Sequence, residues 1–265
     1  MFSSNLLFIF LVILSPVISL SSSDWVISWM GMEIGMFSVI PLLLSKSSSN
    51  EPVMKYFLIQ SLGSALILIS GISLVYHMYE YLYIVLFTLG MSMKLGFFPG
   101  HFWVVSIIEN LSWFSCMLIL GPLKIAPFGI MSMFSDKSFL VMFALFTIFI
   151  GAILGFNQSN VRGMLAASSI THSGWMILAM SFGFLWLYML TYMIVLLYTL
   201  MSLNSHEFQT TSVCLLSMSG LPPFILFLVK MKVFYYLVSN LEYLLFTILI
   251  VSSVISLFYY LKFFY

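Results

Sequence analysis

The chain has 265 residues, of which 62% are hydrophobic and 6% charged, with a net charge of +1 and a mean hydropathy of +1.15. A water-soluble domain carries about a quarter charged residues, so this chain cannot cover a surface in water, and no basic run suggests nucleic acid. It reads as an all-α polytopic membrane protein. Cys116 and Cys214 lie far apart in apolar segments, outside any CxxC or Cys/His cluster, which excludes iron–sulfur or zinc ligation.

The first stretch, MFSSNLLFIFLVILSPVISL, lacks the basic start of a signal peptide and the arginines of a transit peptide. Its long apolar core reads as a first transmembrane helix, which fits synthesis inside the compartment that uses the protein. About ten segments of the roughly 20 residues a bilayer requires follow one another: 2–20, 25–45, 53–76, 81–106, 109–131, 139–156, 164–181, 183–203, 211–236 and 240–264. The joints between them are short and polar, as in SSSD (21–24) and FNQSNVRG (156–163), and no linker parts two soluble domains. Lys46, Lys55, Arg162 and Lys262 fall on the side that holds both termini, against Lys137 and Lys232 opposite. The positive-inside rule then puts both termini on the matrix or cytoplasmic side.

Glu33 lies mid-helix in WMGMEIGM (29–36), flanked by Gly31 and Gly35. A charge there costs ~3 kcal/mol on insertion scales, and the glycine pair admits a closely packed neighbour. The fourth segment is interrupted by KLGFFPGHFW (94–103), with Lys94, Gly96, Pro99 and His101. Pro99 leaves the carbonyl one turn back without its donor, so this stretch faces protein or a wet cavity rather than lipid. His101 follows Lys94 by seven residues, which on a continuous helix is two turns and a similar face. Lys124 sits in GPLKIAP (121–127), and His172 in SSITHSGW (168–175) is a lone polar group on an apolar helix. The ninth segment is interrupted at SGLPP (219–223), with Gly220, Pro222 and Pro223, and Lys230 follows.

The breaks in segments 4 and 9 are five helices apart, an odd number, so residues 1–131 and 139–264 form two five-helix repeats of inverted topology within a single transmembrane domain. The plain alternative is that Gly and Pro are commoner in membrane helices. One carboxylate and three lysines at mid-helix suit a proton relay, because a lysine's hold on its proton responds to desolvation and neighbouring charge. The alternatives are a structural Glu33–lysine pair, a Lys230 that snorkels to the interface, and histidines that are simply hydrogen-bonded in the core. The carboxylates at helix ends (Asp24, Glu51, Glu80, Glu109, Asp136, Glu207 and Glu242) read as solvated or capping groups, and His77 and His206 as loop residues. No phosphate-cradling glycine loop, histidine pair for haem, or nucleophile with its base occurs, so redox and hydrolytic chemistry lie elsewhere.

Six stretches then carry a resemblance: WMGMEIGMFSVIPLL (29–43), VMKYFLIQSLGSALIL (53–68), KLGFFPGHFW (94–103), ENLSWFSCMLILGPLKIAP (109–127), GFNQSNVRGMLAASSITHSGWM (155–176) and SMSGLPPF (217–224). In this order the chain resembles the subunit 2 family of mitochondrial NADH–ubiquinone oxidoreductase (NADH dehydrogenase), respiratory complex I. The resemblance implies an antiporter-like, proton-pumping subunit of the inner mitochondrial membrane. Glu33 matches the glutamate that pairs with the lysine of the first broken helix, matched by Lys94. Lys124 and Lys230 match the lysines that continue the polar axis, and His101 and His172 match histidines beside it. No cofactor is expected on this chain; FMN, iron–sulfur clusters and ubiquinone would belong to other subunits. Expected partners are the other membrane-arm subunits, including neighbouring antiporter-like and small hydrophobic ones, and lipids such as cardiolipin.

Val229, Met231, Gly163 and Ala167 depart from the family's usual proline, tryptophan, lysine and tyrosine, and the further C-terminal helix of vertebrate forms has no counterpart. Packing against neighbours and hydration around Lys230 are where these changes bear. Two other functions compete with proton pumping in complex I: a subunit of a related cation/proton antiporter, and a structural membrane subunit without its own proton path.

Overall fold

The computed structural model describes residues 2–45, 50–75, 80–134 and 137–264. Lys46, His77 and Asp136 lie outside the described residues, as do the side chains of Glu80 and Lys137. All regular structure among the described residues is helical, and the chain forms two compact units, Met1–Ser135 and Asp136–Tyr265. Among the described residues six stretches are long and apolar enough to cross a membrane: Trp25–Leu44, Glu51–Ser73, Trp113–Met133, Phe139–Phe156, Leu185–Ser205 and Tyr243–Phe264. Asn5–Ser21 and Tyr81–Leu95 are shorter apolar helices. The protein is therefore a helical, multi-pass membrane protein.

The first unit contains α1 (Phe2–Ser21), α2 (Trp25–Leu44), α3 (Glu51–Val75), α4 (Glu80–Leu95), α5 (Phe102–Ile108), α6 (Trp113–Leu120), a 3-10 turn (Pro122–Lys124) and α7 (Ile125–Phe134). Small residues set its closest packing. A Cβ on Gly31 would stand 2.7 Å from the Ser19 nitrogen, and one on Gly35 2.6 Å from the Ser15 hydroxyl. The glycine pair beside Glu33 thus admits α1. Gly63 and Gly90 do the same for α3 and α4: a Cβ on Gly90 would lie 3.0 Å from the Gly63 carbonyl oxygen. The buried face of α3 runs through Val53, Tyr56, Gln60, Gly63, Ser64, Ile67 and Ser70, the spacing of one helical face. Trp29 on α2 clamps that face by donating to the Ser64 carbonyl at 3.0 Å.

The second unit contains α8 (Lys137–Phe156), α9 (Val161–Ser181), α10 (Leu185–Ser205), α11 (Phe208–Ser219), α12 (Ile225–Ser239) and α13 (Tyr243–Phe264). Its centre is α9, buried without interruption from Gly163 to Ala179. A helix enclosed on all sides by protein need not present apolar groups to lipid, which is why α9 carries Ser168, Ser169, Thr171, His172 and Ser173 at its middle. The serine and threonine hydroxyls return hydrogen bonds to the carbonyls one turn back, as Thr171 does to Ser168 at 2.7 Å.

Both expected breaks interrupt helix. Gly96 and Gly220 take left-handed backbone, φ +73° and +76°, which ends α4 and α11 without the Cβ penalty of other residues. A proline stands three residues beyond each, Pro99 and Pro223. A third interruption was not expected. The segment read as one helix over 109–131 is two helices: Gly121 leaves helical geometry (φ −101°, ψ −104°), and Pro122 opens the 3-10 turn that ends at Lys124. The turn is three residues long and resumes helix at once, so the apolar periodicity on either side hides it.

Candidate functional site

The first unit brings Glu33 and Lys94 together. Lys94 Nζ donates to Glu33 Oε1 at 2.6 Å, and the two residues are 9% and 8% exposed. A buried charge is tolerable only with a partner of opposite sign, and here α2 supplies the carboxylate to the last turn of α4. Lys124, 6% exposed, is carried by the turn that interrupts α6 and α7. It shares with Lys94 a cavity of about 30 Å³, whose lining also includes Ser15, Tyr56, Gln60 and Trp103. The indole nitrogen of Trp103 is buried and meets no acceptor among the described residues.

His101 is placed by the break rather than by helical spacing. The chain from Gly96 to His101 is turn, not helix, so the two-turn relation to Lys94 does not hold. His101 is the N-cap residue of α5, 3% exposed, with its ring centroid 4.0 Å from that of Phe102 and 6.2 Å from that of Phe98. Its Nδ1 has no hydrogen-bond partner among the described residues.

In the second unit Lys230 is 5% exposed. It turns back toward the break: Nζ donates to the Ser219 carbonyl at 2.8 Å and lies 5.5 Å from the Trp175 ring centroid. The Ser219 carbonyl closes α11, where a helix presents the negative end of its dipole. Gly220 makes room for this, since a Cβ there would meet Lys230 Nζ at 2.9 Å. The reading of Lys230 as a snorkelling interfacial residue does not fit a buried ammonium so held. His172, 2% exposed, shares a hydrogen bond of 3.0 Å between Nδ1 and the Tyr188 hydroxyl. Its ring centroid lies 5.0 Å from that of Tyr192.

Several buried polar residues carry no distinguishing signal in the sequence. Tyr188, Tyr192, Tyr259 and Tyr260 are buried to 1% exposure or less, with the rings of the last two 4.6 Å apart. In a chain with 14 tyrosines, type alone does not separate those that face lipid from those that face a polar core. Gln60 and Trp175 carry no signal beyond their place in family-like stretches. Among the helix-end carboxylates, Glu51 pairs with Lys55 at 2.6 Å and Glu207 accepts from the Thr210 hydroxyl at 3.0 Å. Among the described residues no three His, Cys, Asp or Glu side chains gather as a metal ion would require.

Residues 22–208 match the family described as NADH:quinone oxidoreductase/Mrp antiporter, TM. The fold is similar to a chain of respiratory complex I from Thermus thermophilus with bound aureothin, at a TM-score of 0.86 and 21% identity over 97% of this chain and 69% of that one. It is equally similar to a chain of the Mrp complex from a Dietzia species, at a TM-score of 0.86 and 16% identity over 97% of this chain and 59% of that one. NADH-ubiquinone oxidoreductase chain 2 of Albinaria caerulea is 37% identical over 96% of this chain and 85% of its own length. The Locusta migratoria protein of the same name is 35% identical over 98% of this chain and 84% of its own. Identity of this extent, over nearly all of this chain and most of each relative, makes the chain a member of the NADH-ubiquinone oxidoreductase chain 2 family.

Proposed function

We propose that the chain is the antiporter-like subunit 2 of complex I and moves protons across the inner mitochondrial membrane, with Glu33, Lys94, Lys124, Lys230, His101 and His172 in its proton path. The observation that carries this reading is the buried Glu33–Lys94 pair at the end of a broken helix, opening on the cavity that Lys124 also lines. A water occupies roughly 10–15 Å³ of such space, so the cavity has room to join the two lysines through water, and the Trp103 nitrogen offers that water a donor. A charge change nearby would separate Glu33 from Lys94, alter the lysine's hold on its proton and pass that proton toward Lys124. Lys230 and His172 act in the second unit.

In this reading about ten helical crossings form two inverted repeats, residues 1–131 and 139–264, with both termini on the matrix side. The paired interruptions at Gly96–Pro99 and Gly220–Pro223 support the repeat. Flavin, iron–sulfur clusters and ubiquinone belong to other subunits. Neighbouring antiporter-like and small hydrophobic subunits, and lipids such as cardiolipin, cover the exposed apolar helices. The Mrp likeness rests on fold at 16% identity, whereas the chain 2 likeness reaches 37%, which favours complex I over an antiporter.

The test is proton pumping by the assembled, reconstituted complex carrying Lys94→Met, with quinone reduction and assembly followed alongside. Loss of pumping or of coupled turnover in an assembled complex supports the path. Unchanged protons per electron would leave the buried charges a structural role only.

A further inference from the structure

The end of α4 leaves carbonyls that a continuing helix would have satisfied. Gly96 N closes on the Ser92 carbonyl at 2.9 Å, after which the chain turns away. From Gly96 the chain is no longer helical, so the carbonyls of Met93 and Lys94 stand at an open helix end, and Pro99, four residues after Leu95, has no N–H to give. Buried in a membrane protein, such carbonyls need a partner from elsewhere.

The partner comes from α3. Gln60 is 5% exposed, and its Nε2 stands 3.3 Å from the Lys94 carbonyl and 3.5 Å from that of Met93. One primary amide carries two hydrogens, one for each oxygen. Gln60 reaches them because the neighbouring turn of α3 has no side chain in the way. A Cβ on Gly63 would lie 3.1 Å from Met93 Cβ and 3.5 Å from Lys94 Cγ. Gln60 also lines the cavity shared by Lys94 and Lys124.

We infer that Gln60 is a positioning residue for Lys94: it caps the broken end of α4 and holds the backbone from which the ammonium projects to Glu33. An amide donates hydrogen bonds whatever the charge on Lys94. The lysine can give up and regain a proton while the turn behind it stays closed. This function for Gln60 rests on Lys94 lying in the proton path; the cap itself does not.

The test compares Gln60→Met, Gln60→His and Lys94→Met in the assembled complex, reading proton pumping and amide hydrogen exchange across residues 96–101. Gln60→Met keeps the side-chain length and removes both donors. It is expected to raise exchange there by roughly tenfold, the scale of losing one or two buried hydrogen bonds, and to slow coupled turnover by about tenfold through misplacement of Lys94. Gln60→His, which keeps an N–H at similar reach, restores most of both. If Gln60→Met does not assemble while Gln60→His assembles with near wild-type exchange, the inference stands. It is overturned if Gln60→Met exchanges like wild type, if exchange rises while Lys94-dependent pumping is unaffected, or if neither Gln60 variant assembles. Unchanged pumping in Lys94→Met removes the proton reading instead, and exchange alone then judges the cap.

Discussion

Ser19 and Gly31 meet backbone to side-chain position: a Cβ on Gly31 would lie 2.7 Å from the Ser19 nitrogen and 2.9 Å from its Cα. Backbone atoms of a packed helix cannot step aside, so Gly31→Ala must part α1 from α2 and shift Glu33, two residues along. Overpacking of this kind costs about 1–3 kcal/mol. At Gly35 the nearest atom is the Ser15 hydroxyl, which can rotate away. Gly31→Ala is therefore expected to lower the yield and thermal midpoint of the purified complex more than Gly35→Ala does. Equal effects would mean that this contact is not what holds α1 to α2.

Glu33 and Lys94 should show strong coupling. Removing one partner strands a buried charge, at about 3–5 kcal/mol, whereas replacing both with neutral groups of similar shape costs far less. Glu33→Gln with Lys94→Met is expected to assemble better than Lys94→Met alone. Assembly measured on native gels across the four genotypes gives the cycle, and additive losses would contradict a direct pair.

Tyr188→Phe removes the hydroxyl that meets His172 Nδ1 at 3.0 Å and leaves the ring in place. Loss of a buried hydrogen bond of this kind costs roughly 1–3 kcal/mol. The expected outcome is a lower thermal midpoint together with a changed pH dependence of coupled turnover, because His172 loses the group that orients it. A shift in stability without any change in the pH profile would confine His172 to packing.

The Trp175 ring lies 5.5 Å from Lys230 Nζ and also meets Phe234 edge-on at 5.5 Å. Trp175→Phe keeps an aromatic face for the cation, and Trp175→Leu does not. The contact is worth about 0.5–2 kcal/mol, so pumping should fall by several-fold in the leucine variant and recover largely with phenylalanine. Equal activity in the two variants would remove the ring from the site.

The parts of this fold that are legible in the sequence are those fixed by short-range chemistry. Apolar runs mark the helices, and Gly96, Pro99, Gly220 and Pro223 mark the breaks through backbone rules that need no neighbour. The unpartnered charge at Glu33 announces a buried partner, and resemblance identifies it as Lys94. What the sequence conceals depends on which helices touch. Gln60 is an ordinary polar residue until α3 meets α4 at Gly63 and Gly90. Tyr259 and Tyr260 are two aromatics among many until α13 packs on α8. Seven-residue spacing puts His101 on the face of Lys94 only along a continuous helix, and the break at Gly96 invalidates that count. The break at Gly121 leaves little trace in the sequence, because Pro122 sits at the start of its turn, where a missing N–H costs nothing.

The two interrupted helices are closed at their broken ends by different kinds of donor. At α4 the carbonyls are held by Gln60, a bystander with no proton to lose. At α11 the carbonyl of Ser219 is held by Lys230 itself. If Lys230 lies in the proposed proton path, deprotonating it would remove the positive charge from the negative end of a helix, so that carrying the proton and latching the helix would be one act there. On the proposed proton path, the first break would work as a fixed bracket around a moving charge, and the second as a bolt drawn by the charge it carries.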